Sequence, residues 1–326
     1  MATLDSDTAP VTRPDGASTP DATPDATPDA TPDATPEPAP ELSGSLAEGD
    51  GGYDFKGATF DLNDGADREV LCFILSQALF GEATGVYCGR SLYAARSLEA
   101  ARFYTRQARQ ELGHLQLFAD IFRALELEPM PPHWVIRVLS SHNNYYPLKV
   151  LMEHAIGEGM VLDIFKDLLL QTLPDSDPRV PAIKKKLRVV VREEAEHVAW
   201  GEKETAAILR DKPWLRTPFM GLVDLQLSTL PALVSRLEGA RPDHPVLGQL
   251  GPFVEHVRER VRRQGQRLGF YPEQTPPRWK RALAMAAGAA LFARSQVARA
   301  HSQLDKNYLS ELGFEPSPRA RSPHVR

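Results

Sequence analysis

Cysteine is scarce in this chain of 326 residues, which contains only Cys72 and Cys88. Both fall in one predicted helix, where 16 residues at about 1.5 Å per residue place them about 24 Å apart, too far for a disulfide. The sequence also has no cluster of cysteines and no Gly-rich dinucleotide fingerprint. Electrons for any redox chemistry would therefore have to come from a separate protein.

Long hydrophobic runs are also missing. The most apolar segment near the C-terminus, residues 282–293, has 12 residues, whereas a membrane-spanning helix needs about 20. The N-terminal sequence MATLDSDTAP has neither the basic start nor the apolar stretch of a secretory signal. We therefore expect a cytoplasmic protein without a transmembrane helix.

Basic residues are few at one end of the chain and frequent at the other. Residues 1–69 carry 3 basic and 16 acidic side chains, whereas residues 258–326 carry 14 basic and 5 acidic ones. The basic stretch lacks the interleaved aromatic residues or the reader motif of a nucleic-acid-binding protein. We interpret it as solvated helix faces and expect no nucleic-acid partner.

Composition divides the chain into four parts. Four copies of DATP occupy residues 21–36, and such a segment cannot bury enough apolar surface to offset the entropy of ordering it. We predict a disordered arm over residues 1–65 that acts as a spacer. A helical domain follows at 66–212, then a helical extension at 213–315 and a disordered tail at 316–326.

Helical periodicity begins near residue 67 and predicts an all-α protein. Ser97 is a suitable N-cap for the second helix, and Pro181 suits the first turn of the fourth. Four long helices are predicted at about 67–90, 98–125, 146–172 and 181–210, with three more near 219–237, 246–267 and 278–312. Each of the first four carries one glutamate on its apolar stripe, namely Glu82, Glu111, Glu158 and Glu194.

Two of these glutamates belong to Glu-x-x-His pairs, because His114 follows Glu111 and His197 follows Glu194. Residues three apart are neighbours on a helix surface, so one Glu and one His can bind the same metal ion. Burying four unpaired carboxylates would be very costly, whereas two divalent cations neutralise four negative charges. The pattern therefore predicts two metal ions in the core.

This arrangement resembles the ferritin-like di-iron carboxylate superfamily, in which two helices give one Glu each and two others give Glu-x-x-His. The resemblance covers residues 67–210 and implies a ferritin-like four-helix bundle with two iron ions, or manganese or a mixed pair. It assigns the ligands residue by residue: Glu82, Glu111, His114, Glu158, Glu194 and His197.

Glu193 immediately precedes one ligand, and in the superfamily an acid at that position often bonds the outer nitrogen of the opposite histidine. The resemblance thus implies that Glu193 orients His114, whereas Gln110 stands at the equivalent position of the other helix. We expect the pattern to hold on one side only.

Helix three offers two glutamates, Glu153 and Glu158. Five residues correspond to about 140° around an α-helix, so both cannot face the centre. We prefer Glu158 because Gly157 and Gly159 flank it and leave space beside the metals, with close helix packing as the alternative reason for the two glycines. The remaining histidines that we weighed have no partner at ligand spacing and are interpreted as structural or exposed: His133, His142, His154 and His256.

At two positions the sequence differs from particular ferritin-like enzymes, and each difference argues against one of the reactions that the resemblance allows. Phe118 stands where the radical-forming subunit of ribonucleotide reductase has a tyrosine, and Val190 stands where arylamine N-oxygenases have a further histidine ligand. The ligand spacing, together with LPDSDP (173–178) and EHVAWGE (196–202), is similar to compact oxygenases, among them aldehyde-deformylating oxygenase.

We therefore expect an oxidase or oxygenase that activates O2 to oxidise an apolar organic substrate, with an external electron donor. The alternatives are a ferroxidase or iron-handling protein, and a metal-stabilised helical interaction protein. The extension suits a substrate channel, a homodimer interface or a partner surface. Within it, residues 278–300 form an Ala-rich helix bracketed by cations. We favour tight packing of this helix over contact with a membrane surface.

Overall fold

The computed structural model describes residues 51–86, 91, 95, 97–139, 145–241 and 243–296. Over these residues the chain is helical and contains no β-strand, so the predicted all-α class is confirmed. The DATP repeat, Cys88, His142 and the predicted C-terminal tail lie outside the described residues.

Eight helices make up the described chain. They are α1 (Gly65–Gly85), α2 (Leu98–Leu125), α3 (Trp134–Leu139), α4 (146–172), α5 (Val180–Asp211), α6 (Arg216–Ala240), α7 (Leu250–Arg267) and α8 (Arg278–Gln296). Short 3-10 turns at Pro213–Leu215 and Leu247–Gln249 precede α6 and α7.

Local chemistry explains where several helices begin and end. The Asp64 side chain accepts the N–H of Ala66 at the start of α1, and the Ser97 hydroxyl accepts the N–H of Ala100 at the start of α2. The N-cap predicted at Ser97 is therefore confirmed. Glu126 ends α2 in the left-handed region, with φ of 53°. In α5, Pro181 lies in the first turn, where its missing N–H would have had no helical partner.

Helix α4 is not a uniform α-helix. Its α-helical turns alternate with two π-helical segments, Val150–Gly157 and Ile164–Leu169. In the first of these, the N–H of Glu158 donates to the carbonyl of Glu153, five residues earlier. A π-helical turn is wider than an α-helical one, so side chains five residues apart come close to the same face.

Neighbouring long helices run antiparallel. Arg68 near the start of α1 donates to the carbonyl of Leu125 at the end of α2. Between α2 and α5, the ion pairs Glu99–Lys203 and Asp120–Lys186 join opposite ends, with N–O distances of 2.7 Å each. The first π segment of α4 packs closely along α5. This alignment brings the middles of α1, α2, α4 and α5 to one region of the core.

Residues 51–64 differ from the arm predicted to extend to residue 65. Phe55, Phe60 and Leu62 are buried in the main hydrophobic core. The N–H of Tyr53 donates to the Asp167 carboxylate at 3.0 Å, and the N–H of Phe60 donates to the Thr172 carbonyl at 2.9 Å. The apolar side chains in this stretch give it enough surface to bury, and its backbone is hydrogen-bonded to the end of α4.

Helix α8 packs along α6 through small residues. A Cβ on Gly221 would overlap the backbone of Ala284, and one on Gly288 would lie 2.7 Å from the nitrogen of Leu222. The opposite side of α8 exposes Trp279 and Leu283. The favoured prediction of tight packing thus agrees with this face of α8. Among the described residues, no helix is long and apolar enough to cross a bilayer.

Candidate metal centre

The six predicted ligands meet in the middle of the helical core. Helix α1 supplies Glu82, α2 supplies Glu111 and His114, α4 supplies Glu158, and α5 supplies Glu194 and His197; all six are buried. The ligand atoms form two groups, in each of which all atoms lie within 4.8 Å of one another. One group contains Glu82, Glu111, His114 and Glu194, and the other contains Glu111, Glu158 and His197.

The His114 ring turns its Nδ1 atom toward the first group of carboxylates. This nitrogen lies 2.9 Å from Glu82 Oε2, 3.2 Å from Glu194 Oε1 and 3.7 Å from Glu111 Oε2. Three carboxylates from three different helices therefore surround one ring nitrogen.

The His197 ring has the same orientation toward the second group. Its Nδ1 atom lies 3.6 Å from Glu111 Oε1, 3.5 Å from Glu194 Oε2 and 4.0 Å from Glu158 Oε2. This nitrogen and Glu158 Oε2 are both buried without a hydrogen-bond partner. Glu111 and Glu194 therefore approach both histidine rings, and each would be within reach of either of two ions.

The outer nitrogens of the two histidines are held by the residues that precede the two Glu-x-x-His glutamates. His114 Nε2 donates to Glu193 Oε2 at 3.0 Å, and His197 Nε2 donates to the Gln110 amide oxygen at 2.9 Å. These bonds orient both rings so that Nδ1 faces the cluster, where His114 Nδ1 is hydrogen-bonded to Glu82 Oε2 at 2.9 Å. The structure places Glu193 where the resemblance implied, but the expectation of one-sided support was wrong, because an amide oxygen accepts the same N–H.

Electrostatics inside the cluster favour bound positive charge. Burial raises the pKa of Glu82 well above its ordinary value, and the neighbouring Glu194 adds to that effect. Burial also raises the pKa of Glu158 well above its usual range. Burial alone would lower the pKa of His197, but Glu194 and the other carboxylates raise it to about 9. Without metal, this site would therefore retain protons where cations would otherwise sit.

The donor set suits a pair of divalent ions. Four carboxylates and two imidazole nitrogens match the preferences of iron and manganese, and four negative charges equal the charge of two such ions. The unpartnered Nδ1 of His197 and Oε2 of Glu158 are costly to bury unless something binds them. These residues therefore fit a two-metal centre.

A third cluster, which we did not predict, lies on α4. Ligand atoms of Glu153, His154 and Glu158 come within 4.8 Å of one another. The π-helical register is the reason, since it brings residues five apart to one face. The expectation that Glu153 and Glu158 lie far apart around the helix was therefore wrong, as was the expectation that His154 has no partner at ligand spacing. Of the two glutamates, the preferred Glu158 is the one that lies with Glu111 and His197. Lys149 forms an ion pair with the Glu153 carboxylate, with Nζ–O distances of 2.5 and 2.6 Å.

The buried Gln107 connects the clusters. Its amide nitrogen donates to Glu158 Oε1 at 2.7 Å and lies 3.2 Å from His154 Nδ1. His154 Nδ1 also lies 3.0 Å from Glu158 Oε1, and burial lowers the pKa of His154 to about 3. Gln107 lies one helical turn before Glu111, and that spacing was the only sequence signal for its role.

The glycines beside Glu158 serve packing rather than metal access. A Cβ on Gly157 would lie 2.6 Å from the Met152 carbonyl of the π turn, and one on Gly159 would lie 3.3 Å from Arg260 Nη2. The space predicted beside the metals is thus taken by the helix backbone and by α7. Of the other histidines, His133 and His256 are partly exposed and lie among aromatic rings, away from the clusters.

A mostly apolar cavity of about 290 Å³ reaches the carboxylates from one side. Its size is near the lower end of small-molecule pockets, about 300–1,000 Å³. Glu82, Glu111, Glu158 and Glu194 form one end, and the Lys149–Glu153 pair also lines it. Apolar walls come from α1, α4 and the extension, including Phe73, Ile74, Met160, Val161, Leu230, Val234, Phe253, Val257 and Phe292.

We find no match to this chain among protein-family models, curated proteins or solved structures. The likeness to ferritin-like proteins therefore rests on the six ligand positions and their spacing.

Proposed function

We propose that this protein is a di-iron oxidase or oxygenase of the ferritin-like type, with manganese or a mixed manganese–iron pair as the alternative occupancy. The observation that supports the proposal most is the inward turn of both histidine Nδ1 atoms onto four carboxylates, with both Nε2 atoms tied outward. Bound cations would also satisfy the buried atoms of His197 and Glu158 that have no hydrogen-bond partner.

Each group of residues has a part in the proposed function. Glu82, Glu111, His114 and Glu194 would hold one ion, and Glu111, Glu158, Glu194 and His197 would hold the other. Such a metal pair supplies the capacity to reduce O2 and oxidise an organic substrate. Glu193 and Gln110 fix the two rings, and Gln107 holds the Glu158 carboxylate in place.

The cavity supports an apolar organic substrate. Its walls can exclude water and hold a hydrocarbon group beside the four carboxylates, whereas a ferroxidase route would require a polar path for hydrated ions. The extension contributes much of that wall through α6, α7 and α8. We therefore assign it a substrate-binding role within a cytoplasmic enzyme that uses O2 and an external electron donor.

Metal stoichiometry tests the proposal directly. After anaerobic loading with Fe(II) and removal of excess ion, elemental analysis should find about two ions per chain. Glu194→Ala and His197→Ala should lower that number, while the matched control His256→Ala should leave it unchanged. Wild-type protein that retains no ion would refute the proposal. A large shell that accumulates many ions per chain would favour iron storage instead.

Binding of an apolar probe tests the cavity separately. Decanol should bind the metal-loaded chain in a calorimetric titration, and Ala78→Phe, which fills the lined space, should weaken that binding at least tenfold. Ala286→Phe on the exposed side of α8 is the matched control. Equal binding by both variants would place the probe outside this cavity.

A further inference from the structure

A shallow depression lies on the outer surface between α2 and α5. Its floor contains Gln110 and Glu193, the two residues that hold the outer nitrogens of His197 and His114. Glu193 is 19% exposed, whereas His114 is almost completely buried. The Glu193 carboxylate and the His114 ring therefore lie between solvent and His114 Nδ1, which is the nitrogen that faces the cluster.

Exposed arginines surround this depression, and we call them the arginine face. Helix α2 presents Arg102, Arg106 and Arg109 at helical spacing, and α5 presents Arg188 and Arg192 one turn apart. Arg106 and Arg109 line the depression itself. Three acidic side chains lie within it or beside it: Glu193, which is bonded to His114 and paired with Arg192, Glu196, and Glu99, which is paired with Lys203 one turn before Arg102. Positive charge is therefore in excess.

Apolar side chains also line the depression. Leu117 of α2 and Val189 of α5 are partly exposed there. Partly exposed apolar side chains within a charged rim are the usual composition of a small docking site, where the rim controls association and the centre adds affinity.

We propose that the arginine face is the docking surface for an acidic one-electron carrier protein. This inference rests on the proposed function, because it names the source of electrons for that site. The sequence has no Gly-rich dinucleotide fingerprint and no cysteine cluster, so the reducing equivalents come from outside. The arginine face attracts an acidic partner and places it over the outer partners of both histidines.

The stoichiometry of the reaction fixes how often the carrier must dock. Monooxygenation converts RH, O2, two electrons and two protons into ROH and water. Each carrier gives up one electron and leaves oxidised, so two carriers are consumed in each turnover. A transient, salt-sensitive complex suits this repeated exchange better than a permanent one, because the spent carrier must leave.

Binding measurements on the full-length chain test the docking surface without reference to catalysis. The probes are a plant-type [2Fe–2S] ferredoxin and a flavodoxin, both acidic, with basic cytochrome c and a single-stranded DNA oligonucleotide for comparison. Both acidic carriers should bind, and the affinity should fall about tenfold between 25 and 200 mM salt. Arg106→Glu combined with Arg109→Glu should weaken carrier binding at least tenfold, chiefly through slower association.

A matched variant carries the same change of charge elsewhere. Arg278→Glu combined with Lys280→Glu alters two exposed cations on α8 and should leave carrier binding within twofold of wild type. Circular dichroism checks that both double variants are folded. The proposal is overturned if neither carrier binds, if the two double variants behave alike, or if cytochrome c or the oligonucleotide binds as tightly as the carriers.

The outcomes also separate this inference from the proposed function. Carrier binding that depends on Arg106 and Arg109, in a chain that holds no metal after loading, would leave the docking surface standing and remove the di-iron function. A chain that holds two ions but binds no carrier would support the di-iron function and overturn the docking surface.

Discussion

Replacing Gln264 by leucine should destabilise the chain and weaken metal binding, although Gln264 lies on α7, a helix that contributes none of the six predicted ligands. Gln264 is fully buried on α7, and its amide nitrogen donates to the Ala155 carbonyl and to Glu202 Oε1, each at 2.8 Å. Its amide oxygen accepts from Arg260 Nη1 at 3.3 Å. Leucine fills a similar volume but removes all three bonds.

The expected cost follows from the groups left behind. A buried polar group without its partner costs about 1–3 kcal/mol, and more when it is charged. Arg260 also donates to Asp163, so it keeps one partner, whereas the bonds to Ala155 and Glu202 are lost. We expect Gln264→Leu to lower the free energy of unfolding by about 3–5 kcal/mol. Urea denaturation measures this quantity.

Gln266 provides a matched control on the same helix. It is exposed, and its amide lies 3.4 Å from the Pro272 carbonyl, so Gln266→Leu should change stability by about 0.5 kcal/mol or less. Gln264→Leu should also weaken metal binding about tenfold, because Ala155 lies in the π segment that positions Glu158. If both variants change stability equally and neither affects metal binding, the argument that α7 supports the site is refuted.

Three further changes test other parts of the structure. The backbone N–H of Asp61 and the His244 ring hold the pKa of Asp67 below its ordinary value although burial opposes this. Asp67→Asn should therefore cost about 1–3 kcal/mol at pH 7, and urea melts should show the loss vanishing as pH falls below about 4. Gly221→Ala should lower the free energy of unfolding by about 1–3 kcal/mol or more in the same assay, because the methyl group would overlap Ala284. Glu193→Ala should weaken metal binding about 10–100-fold, whereas Glu193→Gln should retain most of it, which a competitive chelator titration can compare.

The sequence was sufficient to predict the long helices and the six glutamate and histidine residues that meet, but not the short helix α3. Glu-x-x-His on two apolar stripes places Glu111 beside His114 whatever the neighbouring helices do, because the spacing is local. The relative positions of Glu153 and Glu158 on α4 depend on the helical repeat, which is 3.6 residues per turn only in a regular α-helix. The π segment departs from that repeat, and Glu153 came to lie beside Glu158.

Two other differences have the same origin in long-range contacts. Residues 53–62 looked like part of an unstructured arm because their partners, Asp167 and Thr172, are more than a hundred positions away in sequence. Gln110 was set aside because an acid was expected there, yet the His197 ring needs only an acceptor, and an amide oxygen is one. Residue type alone does not decide such a role.

The extension is best understood as part of the site, because it stabilises the unusual register of α4. In an α-helical register Glu153 would lie about 140° from Glu158, whereas in the π register both side chains line the cavity. The π turn leaves backbone groups that need partners outside the helix, and Gln264 bonds the Ala155 carbonyl from α7. On the next turn, the Arg260 guanidinium packs against Gly159, where a larger side chain would displace it. A chain truncated after α5 would keep all six predicted ligands but would lose these contacts, so the geometry of Glu158 depends on residues outside the cluster.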